Sequence, residues 1–144
     1  MILSSSEIIH RLEQEPGKGK LVINPYQREC QQPASYDLRA ASDVTLPQGK
    51  STLVPTLEWV ELPPDLAGTL MCRSSFGRQG ILLGAGYVDP GFRGQLTLCL
   101  TNMGKDLTIR KNDRIVQMIL HEVRGGSGGY SGQYQDSVGA VGAK

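Results

Sequence analysis

Two polar segments in the middle of the chain carry residue types suited to phosphate esters. Arg73-Ser74-Ser75-Phe76-Gly77-Arg78-Gln79-Gly80 supplies two guanidiniums and two hydroxyls. Gly86-Tyr87-Val88-Asp89-Pro90-Gly91-Phe92-Arg93-Gly94 presents a single carboxylate, Asp89, between two aromatics. A guanidinium forks onto phosphate oxygens, and hydroxyls and backbone amides donate the remaining hydrogen bonds. A carboxylate on a tight turn can take a proton from water. Plainer readings stand beside these: Arg73-Ser74-Ser75 also suits a strand end, and Asp89-Pro90-Gly91 also suits a type II turn with glycine at its third position.

Three further segments have the same double character. In Ser35-Tyr36-Asp37-Leu38-Arg39-Ala40, Asp37 and Arg39 make either a cross-strand ion pair or, for Asp37, a group near hydrated magnesium, an ion that prefers oxygen ligands and keeps its waters. Arg114-Ile115-Val116-Gln117 is either an exposed strand start or a further phosphate contact through Gln117. Arg124-Gly125-Gly126-Ser127-Gly128-Gly129-Tyr130 is either a disordered end or a lid, with arginine for phosphate and Tyr130 to stack on a base. His10 and His121 lie far from these segments in sequence and are read as structural or exposed.

The elements that must hold these residues are mostly strands. Eighteen glycines and eight prolines in 144 residues favour many short strands over long helices. The one clear helix spans 4–14, where Ser4 and Glu7 form a capping box and Ile8, Ile9 and Leu12 make an apolar stripe, stopped by Pro16-Gly17. Short strands are expected at 21–23, 56–62, 94–102 and 115–123. In the 94–102 strand, Leu96, Leu98 and Leu100 face one way and Gln95, Thr97, Cys99 and Thr101 the other. From Gly125 onward glycines multiply and apolar residues thin out, so that stretch alone cannot offset its ordering entropy. The expected fold is all-β, a distorted jelly roll or β-barrel with a short N-terminal helix and a flexible Gly-rich tail: a body over 1–123 and a tail over 124–144.

Bulk properties narrow the partners. A formal net charge of +1 gives no broad field for nucleic acid or an anionic membrane, so anions need a local cluster. Cys30, Cys72 and Cys99 are scattered and odd in number, which argues against zinc and against a disulfide framework and fits a reducing cytoplasm. Neither a secretory leader nor a membrane-length apolar run is expected.

Taken in order, Asp-Leu-Arg-Ala, Arg-Ser-Ser, Gly-x-Val-Asp, Arg-x-x-Gln and the Gly-rich Arg/aromatic tail resemble the five motifs of the trimeric dUTP diphosphatases (dUTPases), over roughly residues 33–130. Ile23-Asn24-Pro25, Gln32-Pro33-Ala34-Ser35-Tyr36-Asp37-Leu38-Arg39 and Val88-Asp89-Pro90-Gly91-Phe92-Arg93-Gly94 are closer to the sister dCTP deaminases. The resemblance implies a deoxynucleoside triphosphate site on a homotrimer with shared sites. Asp89 is then the catalytic base. Arg73, Ser74, Ser75, Gln117 and Arg124 bind phosphates. Leu83, Gly86, Tyr87, Val88, Phe92 and Tyr130 surround the nucleoside. Mg2+ rides mainly on the phosphates, with Asp37 reaching it through water.

One position separates two reactions. The deaminases resembled here use a glutamate ten residues beyond the motif aspartate, in a Thr-Leu-Glu-Leu-like strand; this chain reads Thr97-Leu98-Cys99-Leu100. A thiol is a poor substitute for a carboxylate in moving protons between water and an exocyclic amine. The expected reaction is therefore dUTP and water to dUMP and pyrophosphate. The alternatives are dCTP deamination, a bifunctional deaminase–dUTPase, relaxed use of dCTP, and a non-catalytic nucleotide-binding member. Leucine at position 83, where the family often has a polar side chain, departs from the pattern of base recognition. The tail has one extra residue between arginine and aromatic.

Overall fold

The computed structural model describes residues 1–125 and 128–144. Its elements in chain order are α1 (Ser5–Leu12), β1 (Val22–Asn24), a 3-10 turn (Arg28–Cys30), β2 (Gln31–Gln32), β3 (Ser35–Arg39), β4 (Val44–Leu46), β5 (Ser51–Glu61), β6 (Leu66–Cys72), α2 (Ser74–Gly77), β7 (Ile81–Leu83), β8 (Tyr87–Val88), β9 (Arg93–Asn102), β10 (Leu107–Ile109) and β11 (Arg114–Glu122). The single turn α2 and the 3-10 turn fall where sequence periodicity predicts no helix; each is too short to build an amphipathic stripe.

Two antiparallel sheets face each other across the core. One has the order β1-β5-β9-β7 and the other β2-β3-β11-β6-β8, with β4 and β10 as a separate pair. On β9 the expected alternation holds: Leu96, Leu98 and Leu100 are buried, while Gln95, Thr97, Cys99 and Thr101 are half-exposed. They meet Leu38, Leu70, Val88, Val116, Met118 and Leu120 from the opposing sheet in one apolar cluster. The strand expected at 56–62 is longer, because β5 pairs along β9 from Ser51↔Thr101 to Glu61↔Arg93, with an irregularity between Pro55 and Trp59. Proline interrupts a ladder, and the bulge absorbs it.

Helix α1 is closed at its start by Ser4, whose hydroxyl accepts from the Glu7 amide at 3.4 Å. It buries Ile8 and is anchored at Arg11, which donates to Asp65 Oδ1 at 3.0 Å and to the Gly19 carbonyl at 2.9 Å. Inside the molecule Arg39 does not pair with Asp37. Its Nε donates to the fully buried Glu58 at 2.7 Å, its amide donates to the same carboxylate at 2.9 Å, and its other terminus reaches the Pro25 carbonyl at 3.0 Å. β3 and β5 belong to different sheets, so this pair ties the two layers together.

The described part of the tail is anchored in several places. Asp136 N donates to Arg93 O at 2.9 Å, Gln95 N to Ser137 O at 2.8 Å, and Val141 N to Thr97 Oγ1 at 2.9 Å. Tyr130 and Tyr134 pack against the core. Composition missed these anchors because the glycines dilute a few well-placed aromatic and polar residues.

Candidate active site

Arg73 leaves the end of β6 and caps α2, so Ser74 and Ser75 sit exposed on the first turn. β11 lies between β3 and β6, in register Asp37↔Gln117↔Met71, which brings Asp37, Gln117 and Arg73 into one cleft. Asp37 is 3% exposed and lies 3.3 Å from Arg73 Nε and 3.5 Å from Arg114 Nη1, both approaching Oδ2. Arg73 also donates to the Arg114 carbonyl at 3.2 Å. Burial pushes the Asp37 carboxyl above the usual range, and the two guanidiniums pull it back. Asp37 thus braces two cations, and both stay about one-third exposed. The cleft is completed by Gln32, Pro33, Ala34, Ser35 and Ser74.

The second constellation stands on the turn between β8 and β9. Phe92 N donates to Asp89 O at 3.2 Å, and Gly91 has φ +81°, the geometry expected of a type II turn. Asp89 is exposed at the mouth of a cavity of about 320 Å3. Tyr87, Val88, Phe92, Tyr130 and Thr97 line it with Asp89. Phe92 and Tyr130 meet edge-on, with centroids 5.5 Å apart and planes at 68°. Among the described residues Asp89 is the only acid lining this cavity. Leu53, Val141 and Ala143 add apolar wall, so the chamber suits a flat, largely apolar body with a charged group at its mouth.

The residues singled out by sequence therefore divide. Asp37, Arg73, Ser74 and Gln117 meet in the polar cleft; Asp89, Tyr87, Val88, Phe92 and Tyr130 meet in the apolar cavity. No residue lines both. Ser75, Leu83, Gly86 and Arg124 line neither. Gly86 accepts from the Leu70 amide at 2.6 Å, and Arg124 is an exposed turn residue beside the undescribed Gly126 and Ser127. Cys99 lies on the half-exposed face of β9, two positions beyond Thr97, and its carbonyl accepts from Gly84 N at 2.8 Å.

Sequence reasoning missed Arg114 as a brace, and the half-exposed face of β9 as a cavity wall through Gln95 and Thr97. The period-two pattern already placed those last two on one face. It also left His121 apart, whereas its Nε2 is 3.0 Å from Thr69 Oγ1 and its ring lies 6.0 Å from that of Tyr87. Nothing local in the sequence signals that contact, which arises from β6 pairing with both β8 and β11.

The chain is similar in sequence and in fold to known proteins. Residues 40–123 match the family model for dCTP deaminase-like proteins. A dCTP deaminase from Pyrococcus abyssi is 34% identical over 135 residues, covering 82% of this chain and 88% of the relative. Among solved structures, the 2'-deoxycytidine 5'-triphosphate deaminase from Agrobacterium tumefaciens has a TM-score of 0.68 at 21% identity, over 83% of this chain and 47% of its own. The native EIAV dUTPase has a TM-score of 0.62 at 23% identity, over 80% of this chain and 97% of its own. The fold is thus the mostly-β jelly roll shared by dUTPases and dCTP deaminases. The chain belongs to the dCTP deaminase-like family, within the dCTP deaminase/dUTPase superfamily of enzymes.

Proposed function

We propose that this protein hydrolyses dUTP to dUMP and pyrophosphate. The observation that carries the reading is that Asp89 is the one acid lining the apolar cavity among the described residues. One carboxylate supports one proton transfer, and the strand position where the resembled deaminases keep glutamate is Cys99. Hydrolysis needs one base to activate water; deamination needs a second acid–base group at the exocyclic amine.

In this reading Asp89 takes a proton from water as it attacks the α-phosphorus, and the proton stays on the carboxyl while pyrophosphate leaves. Arg73, Ser74, Ser75 and Gln117 hold the phosphates, and Arg73 offsets charge developing on the leaving group. Phe92 crowds the sugar face, which disfavours a 2'-hydroxyl. Tyr87, Val88 and Tyr130 enclose the nucleoside, with Leu83 and Gly86 contributing main-chain groups and Arg124 reaching the phosphates when the tail closes. Asp37 is committed to Arg73 and Arg114, so the donor set suits Mg2+ carried by the triphosphate and reached through water, not a cage built by the protein. Bound there, the ion would neutralise phosphate charge.

Association into a homotrimer is part of the proposal. The two half-sites share no residue within one protomer, which supports completion by a neighbour. The outer face of the β1-β5-β9-β7 sheet carries Leu53 and Leu82, 44% and 56% exposed, beside half-buried Pro55, Leu57 and Trp59. Such an apolar face is stabilised by further copies of the chain.

The deciding experiment incubates the protein with Mg2+ and dUTP, dCTP, dTTP or UTP and quantifies pyrophosphate and nucleobase products. Pyrophosphate and dUMP from dUTP are expected. Uracil nucleotide formed from dCTP would overturn the Cys99 argument, and absence of turnover with any of the four would overturn hydrolysis.

A further inference from the structure

We propose that Gln135 and Asp136 are positioning residues, which with Arg93 strap the tail to the turn carrying Asp89 and so build the Tyr130 wall of the nucleoside cavity. The role rests on the dUTP reading above; the strap itself does not.

The geometry concentrates on one residue. The amide, the carbonyl and two guanidinium nitrogens of Arg93 are engaged by the tail. Its amide donates to Gln135 Oε1 at 2.9 Å, and its carbonyl accepts from Asp136 N at 2.9 Å. Its guanidinium grips the Asp136 carboxylate through Nε and Nη2, the latter at 3.1 Å. The Gln135 amide nitrogen meanwhile donates to Gly91 O at 3.0 Å and to Tyr130 O at 3.3 Å. One side chain therefore touches the turn, the first residue of β9 and the tail aromatic. Tyr130 N completes the closure by donating to Pro90 O at 2.7 Å. Neither Gln135, Asp136 nor Arg93 lines the cavity, so they act through Tyr130 and Phe92 and not on the nucleotide.

The strap's strength is tunable. Both ends of the ion pair are about half exposed. Such a pair is screened by salt and contributes little by itself, so its value lies in geometry: two parallel contacts fix the tail's register along β9. The register continues through Gly94↔Ser137 pairing and Gly139 N donating to Gln95 Oε1 at 2.7 Å. A tail slipped by one residue would remove Tyr130 from Phe92.

The test uses the full chain with Asp136→Arg, Arg93→Asp and the double charge swap. Hydrogen exchange at the amides of Tyr130, Asp136, Gly139 and Val141 is followed at low and high salt, and KM and kcat for dUTP are measured in parallel. Each single reversal is expected to speed tail exchange tenfold or more and to raise KM several-fold with kcat changed less; the double swap restores both. Exchange in Asp136→Arg equal to wild type would overturn the strap. Faster exchange with unchanged KM would overturn its positioning role. If the wild-type protein leaves dUTP intact, the substrate reading and the positioning role built on it both fail, and the exchange data alone decide the strap.

Discussion

Replacing Gly91 by alanine separates backbone strain from tail contact, because Gly49 provides a matched control. Gly91 has φ +81° and Gly49 φ +75°, so an alanine at either site pays the left-handed penalty of about 1–2 kcal/mol. The surroundings differ. A Cβ at Gly49 meets nothing within 4 Å, whereas one at Gly91 would lie 2.9 Å from both Gly129 Cα and Tyr130 N. Those are backbone atoms and cannot turn aside as a flexible side chain would. Either the turn or the tail must move. The turn is built into the sheet, with Gly91 N donating to Leu62 O at 3.0 Å and Leu62 N to Phe92 O at 2.9 Å. The tail is held by bonds worth about 0.5–1.5 kcal/mol each and one exposed ion pair worth less. The tail should therefore leave, and the excess loss in Gly91→Ala is capped by its docking energy. Urea unfolding should show a loss of about 1–2 kcal/mol in Gly49→Ala and a larger loss in Gly91→Ala. Only Gly91→Ala should lose exchange protection at Tyr130, Asp136 and Gly139. Equal tail protection in the two variants would refute the reasoning.

Asp89→Asn should lower kcat for dUTP by about 10²–10⁴ with nucleotide binding retained, measured by pyrophosphate release and calorimetry; near-normal turnover would remove Asp89 as base. Glu58→Gln should cost about 3–5 kcal/mol in chemical unfolding, since Arg39 would remain buried without its charge partner. Asp37→Asn gives a pH signature. The folded state holds the Asp37 proton more tightly than the unfolded chain does, so that contribution to stability is complete below the unfolded value of about 3.9 and is lost as pH rises through the higher folded value. Wild type should lose stability relative to Asp37→Asn across that rise, measured by urea midpoints at several pH values; a difference that stays constant would contradict the raised pKa.

The parts legible in sequence are those set over a few residues. The leucines of β9 alternate with period two, so their burial and the outward direction of Cys99 follow from strand geometry alone. Asp89-Pro90-Gly91 fixes its turn because proline and glycine supply the two required dihedrals. Ser4 announces the start of α1 by the hydrogen bond its side chain can make. The ordered motifs sufficed for the superfamily.

Tertiary structure alone decided which of those residues meet. Asp37 was placed on a strand by sequence, but its partners Arg73 and Arg114 come from two other segments, and Arg39 turned to Glu58 instead. Asp37, Arg73, Ser74 and Gln117 read as one set with Asp89, Tyr87, Val88, Phe92 and Tyr130 in sequence, yet the two groups line separate cavities in the folded chain. The tail read as glycine-rich and unanchored, yet Gln135 and Asp136 find Arg93 more than forty residues away. Local rules act through dihedrals and short hydrogen bonds, which are the same in any fold. Contacts between distant residues depend on sheet order and register, where one residue of slip exchanges the faces of a strand and with them every partner.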